Sequence, residues 1–149
     1  MIESSASVDI DCPIDEVFHY TNDNVAEWSI TVVEDEVINE TPDHVGTTFR
    51  SVTETNGNRM EFQGEVIRYE PPHLSAVRLN GKLFDIDAVY MFEDISGRTR
   101  VTQKSYVYPK SLIMKIIFGC CGWLMSKGSC DAAQKEMQSL KKHCEQQGA

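Results

Sequence analysis

At 149 residues, 41% hydrophobic and 25% charged, the chain has the size and composition of one soluble globular domain, able to bury a core without metal or disulfide staples. A net charge of −9 argues against a nucleic-acid partner, because phosphate binding rests on clustered Lys and Arg. The charge is uneven: residues 111–149 hold 5 Lys and Arg against 3 Asp and Glu, whereas residues 1–110 hold 9 against 20.

Taken in order, Ala6, Val8 and Ile10 alternate with Ser7 and Asp9 and predict a first strand. Asp11-Cys12-Pro13-Ile14-Asp15-Glu16-Val17-Phe18 reads as a helix start. Pro13 suits the first helical position, and the two acids complement the positive end of the helix dipole. A second short turn is expected from Asn24 to Trp28. Six strands follow, over residues 31–40, 47–55, 59–69, 73–79, 83–93 and 98–108. Their boundaries are turn signals: Pro42-Asp43, Asn56-Gly57-Asn58, Pro71-Pro72, Asn80-Gly81 and Ser96-Gly97. Such short turns predict an antiparallel meander.

Alternation assigns the inner faces. Phe84, Ile86, Ala88, Tyr90 and Phe92 face inward opposite Asp85, Asp87 and Glu93. Met60, Phe62, Gly64 and Val66 oppose Glu61, Gln63 and Glu65 in the same way. Thr99, Val101, Gln103, Ser105 and Val107 are expected inside on the last strand, and Phe49 and Ser51 on the strand at 47–55.

Residues 111–147 read as one long C-terminal helix. Ala133, Met137, Leu140 and Cys144 recur at the spacing of a helix lying on a core. Carried backward, this stripe passes Cys130, Ser126, Gly122, Trp123, Gly119 and Ile116, while Ile113, Ile117, Cys121 and Leu124 fall on the opposite side. A straight helix would show that second row to water, a ligand, a lipid or a second subunit. A break at Gly119–Gly122 would turn it inward and is the preferred expectation. The apolar run at 112–125 contains Lys115 and is about 14 residues, against roughly 20 needed to span a bilayer.

The order and spacing of several segments resemble the START-like helix-grip superfamily, in its polyketide cyclase/dehydratase and lipid-transport-like (SRPBCC) branch. They are Ile10-Asp11-Cys12-Pro13-Ile14-Asp15-Glu16-Val17-Phe18, Trp28, Val45-Gly46-Thr47-Thr48-Phe49, Tyr69-Glu70-Pro71-Pro72, Gly97-Arg98-Thr99-Arg100-Val101-Thr102 and Leu140-Lys141. The resemblance implies a single α+β domain over residues 1–149. A curved seven-stranded antiparallel sheet would wrap the long C-terminal helix, with two short helices between the first two strands. It also implies a cavity for a small apolar molecule. The glycines at 119 and 122 depart from the pattern where the helix would cover the cavity mouth.

The candidate lining of that cavity is Trp28, Phe49, Phe62, Val66, Phe84, Ile86, Tyr90, Phe92, Val101, Gln103, Ser105, Ile116, Gly119 and Trp123. A filled core would show the same periodicity. Gln103, Ser105, Tyr90 and Arg78 are the polar groups available to orient a ligand.

No catalytic residue is assigned. His19, His44, His73 and His143 have no Ser, Cys or acid at a recognisable spacing. Glu34-Asp35-Glu36, Asp85 and Asp87 are read as mainly solvated. The five cysteines, Cys12, Cys120, Cys121, Cys130 and Cys144, show no metal-ligand spacing, so neither metal nor cofactor is expected. Met1-Ile2-Glu3-Ser4-Ser5 has no apolar run, which makes the cytoplasm the expected location.

Three functions remain. The first is binding or carriage of a small hydrophobic ligand such as a lipid, isoprenoid or polyketide, without catalysis. The second is a cyclase/dehydratase-like enzyme using the same cavity. The third is a membrane-peripheral or dimeric interaction module acting through residues 112–125; monomer and homodimer are both open.

Overall fold

A computed structural model describes residues 2–55 and 57–147; for residue 55 and residues 113–130 it describes the backbone only. The chain runs β1 (Ile2–Ile10), α1 (Ile14–Asp23), α2 (Val25–Trp28), β2 (Val32–Asn39), β3 (Thr48–Thr55), β4 (Asn58–Glu70), β5 (Leu74–Asn80), β6 (Phe84–Ile95), β7 (Arg98–Pro109) and α3 (Leu112–Gln147). All seven strands form one antiparallel sheet in the order β1-β7-β6-β5-β4-β3-β2. Consecutive strands therefore neighbour one another from β2 to β7, as hairpin turns require, and β1 closes onto β7 as the far edge. Gly57 and the Ser96-Gly97 pair take positive φ in two of those turns.

The strand limits agree with the turn signals to within a residue or two. Two local expectations need correction. Pro13 is the N-cap of α1 rather than its first helical residue, with extended backbone at ψ 149°. The helix at the C-terminus is not broken: α3 runs continuously through Gly119-Cys120-Cys121-Gly122. Each internal glycine costs a helix only about 1 kcal/mol relative to alanine, which a 36-residue segment absorbs. The side-chain directions of Ile113, Ile117 and Leu124 lie outside the described residues.

The C-terminal half of α3 is strapped to β1. Met137 and Leu140 are fully buried, Cys144 nearly so, and Ala133 packs beside them, as the helical stripe predicts. Polar contacts fix the register between helix and strand. Lys141 Nζ donates to the Asp9 carbonyl at 2.7 Å and to Glu145 Oε2 at 2.8 Å. Glu145 in turn accepts the Asp11 amide, and Gln134 Nε2 donates to the Ser7 carbonyl. Against this half sit Val8 and Ile10 of β1, Val17 and Phe18 of α1, Trp28 of α2, Phe92 of β6 and Val101 of β7. Phe18 meets Phe92 edge-on at 5.1 Å, and Trp28 meets Tyr90 at 6.3 Å. One end of the space between sheet and helix is thus packed solid.

Candidate functional site

Cross-strand register places the inner face row by row. Beside the packed end, Tyr69, Ser75, Tyr90, Gln103 and Ala6 lie side by side across β4, β5, β6, β7 and β1. The next row is Val66, Val77, Ala88, Ser105 and Ser4. Beyond it come Val37, Phe49, Gly64, Leu79, Ile86, Val107 and Ile2. Asp35, Ser51 and Phe62 align at the far side of the sheet.

Burial changes along these rows. Val101, Phe92 and Val8 at the packed end are buried, whereas Val66, Val77, Leu79, Phe84, Ile86, Ser105 and Val107 face inward yet are only half-buried. At the far end Phe62 and Phe84 also border a half-open cleft of about 1050 Å³ that takes in Arg59, Met60, Glu61, Lys82, Leu83 and Lys110. Phe62 and Phe84 stand 5.9 Å apart there. Gly64 admits the Phe49 ring directly over its backbone, where a Cβ would collide with the ring.

The expected lining residues therefore divide. Phe49, Phe62, Val66, Phe84, Ile86, Tyr90, Gln103 and Ser105 share the inner face with the open rows. Trp28, Phe92 and Val101 are instead part of the packed end, and the Trp28 indole N–H is engaged by the Thr21 carbonyl at 3.0 Å. The side chains of Ile116, Gly119 and Trp123 lie outside the described residues. Arg78 belongs to the outer face, where its guanidinium grips both oxygens of Asp87 at 2.8 and 3.0 Å. Its expected role toward a ligand is corrected on that ground.

Polar groups concentrate where packed and open regions meet. Gln103 Nε2 donates to the Tyr90 hydroxyl at 3.1 Å, while Gln103 Oε1 and Ser75 Oγ are buried without a partner among the described residues. Burial, with the charges of Glu136 and Asp35, pushes the Tyr90 phenol well above its ordinary range, so it stays protonated. Glu136 reaches over from α3. It accepts Ser29 Oγ and the Ile30 amide, each at 2.8 Å, and so pins the segment between α2 and β2. Burial raises its pKa as well.

The sequence does not single out Glu136 or Ser75, and it leads one to expect a solvated Asp35. Glu34 takes Arg59 at 2.6 Å and Arg50 at 3.6 Å on the outer face, leaving Asp35 with the opposite parity. Solvent reaches Asp35 along the open edge of β2, yet the surrounding protein desolvates it enough to raise its pKa to about 6. A carboxyl raised in the folded state opposes folding above its folded pKa and ceases to matter below its unfolded one, 3.8. Asp35→Asn is therefore expected to stabilise the protein by about 1 kcal/mol at pH 7.5, after allowing for solvent screening at the edge. That gain should fade as pH falls from 6 toward 4. Urea unfolding at several pH values measures it, and a pH-independent difference would remove the desolvation account.

The described cysteines and histidines are engaged in packing or main-chain contacts. Cys12 and Cys144 are free, buried thiols, and burial raises both, Cys144 to about 12. His73 and His143 contact main-chain carbonyls, His44 stacks on Tyr69 at 4.1 Å, and His19 meets the Phe18 ring. No group of metal-ligating side chains forms among the described residues, and no helix there is long and apolar enough to cross a membrane.

Residues 1–145 match the family described as polyketide cyclase/dehydrase and lipid transport. No curated protein matches the chain. Solved structures resemble it at low identity. One from Thermus thermophilus is 16% identical with a TM-score of 0.81, covering 99% of each chain. A START superfamily protein from Mycobacterium smegmatis is 14% identical with a TM-score of 0.83, covering 98% of this chain and 99% of that one. The Zhui aromatase/cyclase from Streptomyces sp. R1128 is 9% identical with a TM-score of 0.77, covering 99% and 95%. At these identities the likeness is one of fold, and that fold is the helix-grip.

Proposed function

This chain belongs to the polyketide cyclase/dehydrase and lipid transport family, and from that premise we propose that it binds or carries a small hydrophobic molecule in the space between the sheet and α3, without reacting it. The carrying observation is the half-buried state of inward Val66, Val77, Leu79, Phe84 and Ile86 beside a fully packed end. An apolar ligand covering those side chains would gain about 25 cal/mol for each Å² removed from water. The inner face also has the usual make-up of a ligand pocket, mostly apolar with a few placed polar groups.

One observation favours a second reading, a cyclase or dehydratase in the same space. A carboxyl with a pKa of about 6, as at Asp35, suits proton transfer near neutral pH. Binding without catalysis is preferred because the other candidates are held out of such a role: Tyr90 is a poor base and both described cysteines are inert. The interaction-module reading depends on residues 112–125, where Leu112 is exposed and the side chains at 113–125 lie outside the described residues.

Native mass spectrometry of protein purified from cells, followed by solvent extraction, tests the binding reading. An apolar molecule small enough for the space is expected to co-purify. A protein that is empty, and that retains no member of a lipid and isoprenoid panel, overturns it.

A further inference from the structure

We propose that the inner face selects ligands whose polar end donates hydrogen bonds, a long-chain alcohol or amine, and rejects the corresponding carboxylate. This rests on the binding reading above and names the ligand class for the same space.

Charge on the inner face carries the first part of the argument. Along the inward positions of β1 to β7 the side chains are apolar, small or hydroxylated, except for Tyr69, Tyr90, Gln103 and Asp35 and, at the strand ends, Asn58 and Asp94. Asp35 and Asp94 are the formal charges among them, Asp94 lying at the β6–β7 turn where it accepts the Gly97 amide, and no Lys or Arg occupies an inward strand position among the described residues; Lys110, at the far cleft, is paired with Asp85. The cations of the sheet are engaged on its outer side: Arg50 and Arg59 with Glu34, Arg78 with Asp87, Arg100 with Asp9. The second carboxylate near the site, Glu136, comes from α3 and lies close enough to Tyr90 to disfavour ionisation of the phenol, as does Asp35. A ligand carboxylate entering here would give up its water and meet two negative groups with no positive partner, which costs heavily in a low-dielectric site.

Hydrogen-bonding capacity carries the second part. Gln103 is only 9% exposed, its amide N–H₂ is turned toward Tyr90, and its carbonyl oxygen Oε1 has no donor among the described residues. Ser75, on the other side of Tyr90, is 2% exposed and its hydroxyl is also unpartnered. A buried acceptor left unmade is unfavourable, and a ligand that supplies the missing donor gains what the apoprotein forgoes. With a side-chain rotation that turns these buried atoms toward the open rows, an alcohol can donate to Gln103 Oε1 and accept from Ser75 or Tyr90. An ammonium can also pair with Asp35, which has no hydrogen bond or ion pair among the described residues. The apolar chain would then run along the half-buried rows toward the cleft at Phe62 and Phe84.

The experiment is displacement of the neutral dye N-phenyl-1-naphthylamine from the full chain at pH 7.5 by dodecanol, dodecylamine and dodecanoate, which share one chain length. Dodecanol and dodecylamine are expected to displace the dye at concentrations about tenfold or more below that of dodecanoate. Asp35→Asn should remove most of the advantage of the amine over the alcohol. Gln103→Leu should narrow the gap between alcohol and carboxylate, leaving the part that Asp35 and Glu136 impose. Because Asp35 lies at the sheet edge, its variant reports even where loss of Gln103 disturbs folding. Dodecanoate displacing as well as the other two, or a bound dye that none of the three displaces, overturns the head-group inference and leaves the binding reading intact. Failure of the dye and of all three chains to bind overturns both.

Discussion

Leu140→Ala is expected to destabilise the protein by about 3–4 kcal/mol, the range for removing a buried leucine whose cavity cannot collapse. Leu140 has no exposure at all and sits with Met137 and Cys144 between β1, α1 and the Trp28 indole. That cluster is held by polar contacts that resist relaxation. Lys141 and Glu145 tie the helix to Asp9 and Asp11, the Ser139 hydroxyl donates to the Trp28 carbonyl, and Glu136 holds Ser29 and Ile30. With both walls fixed, the cavity left by alanine stays open and its full cost is felt. For a chain of this length the loss should appear as a melting temperature roughly 10 °C lower. The exposed neighbour Lys142→Ala should stay within about 0.5 kcal/mol of the parent. Thermal and urea unfolding decide, and a loss at Leu140 below about 1 kcal/mol would mean that this end of the helix is not the anchor.

The anchor could be read directly in the chain because a helix on a core repeats at fixed spacing, and Ala133, Met137, Leu140 and Cys144 do so without ambiguity. The strands were equally visible, since Asn56-Gly57, Asn80-Gly81 and Ser96-Gly97 each stop an alternating run and fix which residues share a face. Two misreadings have physical causes. Glycines at 119 and 122 lower helix propensity without abolishing it, so a predicted break became a continuous helix. Arg78 alternates with the inward Val77 and Leu79, and its parity already placed it outside, against Asp87.

The polar part of the site was hidden for a different reason. Glu34, Asp35 and Glu36 are chemically alike, and which one turns inward depends on strand register, here shifted by irregular pairing between Val32 and Glu34. Glu136 is next to the inward Met137 on a helix whose partner segment at Ser29–Ile30 is more than a hundred residues away. Periodicity reports which way a side chain points and says nothing of what it meets across a cavity. Likewise it could not separate Trp28, Phe92 and Val101, which belong to the buried core cluster, from Ile86 and Phe84, which are only half-buried: all are apolar and inward.

Ser105→Trp should separate those two kinds of inward residue most sharply. Ser105 is half-buried in the row beyond the polar groups, between Ala88 and Ser4, both small. An indole at this position would project into the space beneath α3 instead of into packed neighbours. Excluding roughly 110 Å² of ligand surface at about 25 cal/mol per Å² costs about 2.7 kcal/mol, close to a hundredfold in Kd. The expected result is N-phenyl-1-naphthylamine binding weakened by about that factor, with thermal stability near the parent value. Lys104→Trp, one residue away and of opposite parity, should leave dye binding within about threefold, because its side chain stands on the outer face. If the space is instead a filled core, the indole must overpack it, and the same variant would lose about 1–3 kcal/mol of stability. Undiminished dye binding by Ser105→Trp would place the ligand elsewhere. A collapse in stability would show that the half-buried rows close over one another, as core residues do.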